Sequence, residues 1–146
     1  IVINKWDLIQ KDTYTMKTIS DDIVYDFPAL KFHPIIFISI KNNFRVGNVL
    51  KNTLMIHKNR SKKINTKELN DFLKKILIKK SPPSVQGKEI KIKYITQVHQ
   101  GPPVFAVFSN YPDLIEESYK RYILNQLKEK FNFFGVSVKI SLRLNK

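Results

Sequence analysis

Three apolar residues, Ile1-Val2-Ile3, run straight into the polar cluster Asn4-Lys5-Trp6-Asp7. A buried strand that stops at such a cluster puts it at the strand's carboxyl end, the edge where open α/β sheets collect their ligands. A second apolar run, Pro34-Ile35-Ile36-Phe37-Ile38, is almost unbroken in β-branched and aromatic residues and ends in Ser39-Ile40-Lys41. It reads as a strand buried on both faces. Between the two, Met16, Ile19, Ile23 and Phe27 recur at spacings of three and four with Asp21, Asp22 and Asp26 among them. That pattern predicts an amphipathic helix within residues 13–30, ending at Phe27-Pro28. Residues 44–59 repeat the helical period through Val46, Val49, Leu50 and Leu54. Strand, helix, strand, helix is the tail of a parallel α/β sheet, too small to close a sheet alone.

In a parallel sheet both carboxyl ends open on one edge, so residues 4–7 and 39–41 are expected to meet at one ligand. A carboxylate at Asp7 accepts from a guanine N1–H and its exocyclic amine together, a pair of donors that adenine lacks. Lys5 has a methylene stem to lay on a base plane, and the Asn4 amide can tie its loop to a neighbour. The plainer alternative is an ordinary polar turn after a strand.

Composition narrows the class. The chain of 146 residues is 42% hydrophobic and 12% aromatic, enough for a core in one domain or two small ones. Formal charge is +14, which suits an anionic partner such as RNA, although a Lys- and Ile-rich genome gives the same bias. The absence of Cys excludes disulfides, thiolate metal sites and a Cys nucleophile. No run approaches the ~18 apolar residues of a membrane span, and no signal peptide is visible. Starting without Met inside a strand, the chain is expected to be a piece of a longer one.

A second unit is expected from residue 61. Asn65 or Thr66 can cap a helix with Glu68 in its first turn and Leu69, Phe72, Leu73 and Ile76 as its buried stripe, stopped by Ser81-Pro82-Pro83. Residues 89–98 alternate, with Ile90, Ile92, Tyr94 and Val98 on one side and Lys91, Lys93 and Gln97 on the other. After the turn at 99–103, residues 104–108 return as an apolar strand. Residues 111–131 are the longest helical stretch, with Ile115, Tyr119, Tyr122, Ile123 and Leu127 inward and Gly135 ending the turn beyond it. Val136, Val138, Ile140 and Leu142 then alternate with Ser137, Lys139, Ser141 and Arg143. The expected order is α-β-β-α-β.

Asn4-Lys5-Trp6-Asp7 followed by Ser39-Ile40-Lys41 resembles the fourth and fifth guanine-recognition motifs of the P-loop GTPases. The usual fifth motif reads Ser-Ala-Lys, and Ile40 stands where its small residue offers a backbone N–H to the guanine O6. The α-β-β-α-β order, together with Leu69-Asn70-Asp71-Phe72-Leu73, Gln100-Gly101-Pro102-Pro103, Phe108-Ser109-Asn110, Tyr119-Lys120-Arg121-Tyr122-Ile123 and Phe134-Gly135-Val136, resembles the C-terminal KH-like domain of the bacterial double-GTPase family Der, also called EngA. The resemblance spans the whole chain and implies an α/β fragment of a P-loop GTPase domain over 1–60 followed by an α+β KH-like domain over 61–146. It further implies a cytoplasmic parent protein with two G domains that binds GTP and GDP with Mg2+ and assists assembly of the large ribosomal subunit. Guanine contact would fall to Asn4, Lys5, Asp7, Ser39, Ile40 and Lys41.

No Gly-x-x-x-x-Gly-Lys-[Ser/Thr] loop and no Asp-x-x-Gly occur, so the groups that cradle phosphates and hold magnesium are missing from this stretch. No catalytic residue or metal ligand is assigned within it, and alone it is not expected to hydrolyse GTP. Gly47, Gly87, Gly101 and Gly135 are nowhere three apart, so the Gly-x-x-Gly clamp of KH modules is absent and any RNA contact must run through charge. Residues 61–146 hold +10 of the +14. Lys91, Lys93, Lys139 and Arg143 are expected to share the sheet face away from the helices, a surface for rRNA phosphates, for another G domain of the same protein, or for solvent alone. His33, His57 and His99 lack ligand spacing; Trp6, Tyr119 and Tyr122 read as packing. The competing reading of the whole is a basic RNA- or protein-binding module without nucleotide-dependent activity.

Overall fold

The computed structural model describes residues 1–10 and 12–145. They form two compact units of mixed α/β structure: Ile1–Asn59 with Phe134–Val136, and Arg60–Phe133 with the described residues from Ser137 onward.

In the first unit, β1 (Val2–Ile3) pairs in parallel with β2 (Ile36–Phe37), Val2 beside Ile36 and Ile3 beside Phe37. Main-chain bonds outrun the short strands, since Ile38 N–H donates to Ile3 O (2.8 Å) and Trp6 N–H to Ile38 O (3.0 Å). β2 is shorter than its apolar run because the chain folds back after Ile38: Ser39 and Phe44 exchange both backbone bonds, at 3.1 and 2.9 Å. Trp6, 2% exposed, packs on Phe37 with ring centroids 4.6 Å apart. Helix α1 (Thr15–Asp26) is opened by Asp12, whose Oδ1 accepts from the Tyr14 and Thr15 amides. It ends one residue before Phe27-Pro28, and Pro28 starts a 3-10 turn over Pro28–Phe32.

The buried face of the next helix differs from the apolar one expected of it. Helix α2 (Gly47–Arg60) starts later than residue 44, and Leu50 and Leu54 on it are 70% and 71% exposed. Its inward stripe instead runs through Val49, Asn52, Ile56 and Asn59. Hydrophobic counting misses that stripe because two members are asparagines whose amides are satisfied: Asn52 Nδ2 donates to Asn48 O and Asn59 Nδ2 to Phe134 O. Gly135, at φ +78°, donates its N–H to Phe32 O, and a Cβ there would lie 2.4 Å from Ile56 Cγ1. Glycine is the residue that this approach admits.

The second unit runs α3 (Thr66–Lys79), β3 (Ile92–Gln100), β4 (Pro103–Ser109), α4 (Glu117–Lys130), β5 (Lys139–Leu144). β4 is central, antiparallel to β3 and parallel to β5. Asn65 caps α3 by accepting from Lys67 N–H, and Leu69, Phe72, Leu73 and Ile76 are buried. They meet Ile95, Phe105 and Val107, all inaccessible to solvent, with Ile123, Leu127 and Phe133.

Strand β3 departs from the expected alternation. Two register shifts, between Ile92 and Tyr94 and between Gln97 and His99, each insert an extra residue. A one-residue bulge turns every following side chain to the other face. Ile95 is therefore in the core, Tyr94 and Val98 are 39% and 44% exposed, and Gln97 turns inward. There Gln97 Oε1 accepts from Ile64 N–H and its Nε2 donates to Lys62 O.

Helix α4 is shorter than residues 111–131 because Tyr111, before Pro112, takes an extended φ of −136° and a 3-10 turn over Pro112–Leu114 intervenes. Its far end is closed by Asn132, at φ +51°, and not by Gly135. Phe133 N–H reaches back to Lys128 O and Asn132 N–H to Glu129 O, the paired bonds of a Schellman ending. Lys62 Nζ adds bonds to Phe131 O and Asn132 O.

Tyr119 and Tyr122 tie α4 to the end of α3, donating to Lys80 O (2.6 Å) and Ile76 O (3.2 Å). Burial, with Tyr122 alongside, pushes the Tyr119 phenol up to about 12. The folded chain then keeps a proton that the unfolded chain releases near pH 10, so this contribution is complete below about pH 10 and is lost as pH rises toward 12. Tyr119→Phe is expected to cost about 0.5–1.5 kcal/mol at neutral pH. Urea melts at about pH 9 and about pH 11 should show a smaller alkaline loss in the variant than in the parent chain.

No helix among the described residues is long and apolar enough to cross a membrane.

Candidate functional site

Two places in the structure gather the residues singled out by sequence. The first is the shared edge beyond β1 and β2. The parallel ladder sets Asn4–Asp7 beside 39–41, and two side-chain bonds link them: Ser39 Oγ donates to Asp7 Oδ1 at 2.5 Å, and Ile40 N–H donates to Asn4 Oδ1 at 3.3 Å. Ser39, 1% exposed, also accepts from Asn42 N–H at 3.2 Å. The hydroxyl thus fixes the carboxylate and the turn of its own loop together. Lys5 takes the left-handed region at φ +61°, unusual for a residue with a Cβ, and is exposed. Ile40 and Lys41 sit on the tip of the turn closed by Ser39 and Phe44; the Ile40 side chain is 64% exposed. A carboxylate held by a hydroxyl, a left-handed lysine and a solvent-facing loop tip form an open polar edge that can present acceptors to the rim of a planar base.

The second is the outer face of the three-stranded sheet. Register puts Lys139 beside Val104 and Arg143 beside Phe108, on the side opposite the buried Phe105 and Val107, and both cations are exposed. Lys93 is the unpaired residue of the first bulge, exposed next to Tyr94. Lys91 precedes β3 and is ion-paired with Glu89 at 2.9 Å. Sequence reasoning placed Tyr94 among the buried residues, yet it stacks on Phe108 on this face, with centroids 4.2 Å apart and planes 12° from parallel. Nothing in composition or spacing marks the bulge that brings it there.

Among the described residues no three His, Cys, Asp or Glu side chains cluster as metal ligands. His99, assigned no role, holds its Nδ1 2.9 Å from Pro102 O.

Two helices and a three-stranded mixed sheet in this order are consistent with a KH-like domain. Residues 63–143 match the family described as KH-domain-like of EngA bacterial GTPase enzymes, C-terminal, and the chain belongs to that family. Among relatives, it is 42% identical over all its 146 residues to the GTPase Der of Lactobacillus johnsonii, 34% of that protein. It is 42% identical over 143 residues to the GTPase Der of Chlorobium phaeobacteroides, covering 98% of this chain and 33% of the relative. With the GTPase Der of Clostridium tetani it shares 40% over 146 residues, all of this chain and 33% of the relative. The chain spans about a third of the length of the curated relatives it matches.

Proposed function

We propose that residues 1–60 are the closing part of the second GTP-binding domain of a GTPase, and residues 61–146 its KH-like domain. On this reading the whole protein acts in the cytoplasm in assembly of the large ribosomal subunit. The observation that carries it is the Ser39–Asp7 bond at the ends of adjacent parallel strands. It orients one carboxylate toward a shared edge where a guanine offers two donors. Asn4 ties the two loops by accepting the Ile40 N–H, the donor that a bound guanine O6 would take up or share, and Lys5 and Lys41 flank the base with their stems. GTP or GDP meets this chain through the base alone. Phosphate and Mg2+ contacts belong to motifs that the 146 residues do not contain.

The KH-like domain has no Gly-x-x-Gly loop, so its rRNA contact runs through Lys93, Lys139 and Arg143 on the outer sheet face, with Lys91, paired to Glu89, at its edge. Reversing two of these charges, with Lys139→Glu and Arg143→Glu combined, tests this. Binding of the chain to large ribosomal subunits should weaken, and the dependence of log affinity on log salt should flatten by roughly 1–2. Surface reversals of this kind shift stability by about 0.5 kcal/mol or less. An unchanged salt slope would remove these residues from the interface and favour docking of another G domain on the same face.

A further inference from the structure

The outer sheet face carries an aromatic row that charge alone does not explain. Tyr94, Phe108 and Arg143 stand side by side on β3, β4 and β5, and the first two rings are stacked. Such a cross-strand pair stabilises the sheet, and with Tyr94 39% exposed it also leaves a ring open to solvent. The three strands contain no Asp or Glu, while Lys93, Lys139 and Arg143 are exposed along them. A surface of one sign with an open ring suits a polyanion whose own rings are free to stack. An acidic protein would find the charge but offers a ring only where its sequence happens to carry one, whereas every nucleotide of an unpaired strand brings a base to stack. An RNA duplex would find the charge too, but its bases are already stacked on each other.

We propose that the Tyr94–Phe108 pair is a stacking platform for single-stranded RNA, with a nucleobase continuing the ring stack and Arg143 and Lys139 meeting the adjoining phosphates. The proposal rests on the rRNA-contact reading above and adds strand type to it. Base–aromatic stacking tolerates any sequence, so a preference for unpaired over paired RNA is the signature.

The experiment measures binding of the 146-residue chain to a labelled short oligouridine and to an RNA duplex of equal length, at low and moderate salt. The parent chain should favour the single strand. Tyr94→Leu should weaken oligouridine binding roughly 5- to 100-fold with little change in salt slope. Tyr94→Trp should retain the affinity, with indole fluorescence quenched by the RNA. Should the leucine variant fail to fold, as judged by circular dichroism, the tryptophan quench decides instead. Equal affinity of Tyr94→Leu and parent, with Lys139→Glu and Arg143→Glu still weakening binding, would overturn the platform and leave the basic face standing. Preference for duplex, or RNA binding by Tyr94→Trp without any quench, would also overturn it. Absence of RNA binding even at low salt would overturn both.

Discussion

Asp7→Asn is expected to weaken GTP binding by about two to four orders of magnitude when introduced into the whole protein. An ionised carboxylate accepting two hydrogen bonds contributes roughly 1.5–3 kcal/mol for each, and an amide keeps at most one acceptor while turning a donor toward the base. The same donor suits the extra oxygen of xanthine, so xanthine nucleotides should gain affinity as guanine nucleotides lose it. The Ser39 hydroxyl, which holds Asp7 at 2.5 Å, still finds an acceptor in the amide oxygen, so the loop itself should be retained. Calorimetric titration with GDP and with XDP reads both changes. Equal loss for the two nucleotides would mean that the residue supports the loop without meeting the base.

The largest expected stability change outside the apolar core comes from Asn70. Its Oδ1 accepts from Ile95 N–H and its Nδ2 donates to Ile95 O, both at 3.0 Å, with a further bond to Thr66 O at 2.7 Å. One amide thereby satisfies the outward pair of a strand residue whose side chain is wholly buried. Asn70→Leu is near in volume but leaves that pair without partners beside α3, at about 1–3 kcal/mol for each group. The expected loss is about 2–4 kcal/mol in a urea melt with unchanged slope. Asn70→Asp, which keeps the acceptor and loses the donor, should fall between. A loss below about 1 kcal/mol for the leucine variant would show that water replaces the amide at little cost.

Legibility in the sequence followed how local the determining forces are. The stripe of α3, with Leu69, Phe72, Leu73 and Ile76 buried and Asn65 as cap, could be read directly, because spacing and cap chemistry are contained in one turn or two. The meeting of Asp7 and Ser39 was legible for a different reason: parallel strands force their carboxyl ends to one edge, whatever lies between. What escaped was phase. Two extra residues in β3 moved Ile95 inward and Tyr94 outward, and a bulge arises from pairing with β4, which no window along β3 contains. The polar stripe of α2 escaped because Asn59 is buried through its bond to Phe134, a partner distant in sequence. Asn132 took the helix ending from Gly135 because a left-handed asparagine suffices there.

The grouping of Phe134–Val136 with the first unit has a consequence in time. On a translating ribosome residues 1–59 emerge well before the glycine that closes against Ile56 and the carbonyl that takes the Asn59 amide. At about 5–20 residues per second, the interval is on the order of 4–15 s. Through that interval Asn59 waits for its carbonyl and Ile56 for its neighbour. The first unit, made ahead of the second, is thus finished after most of it, completed by three residues that follow α4.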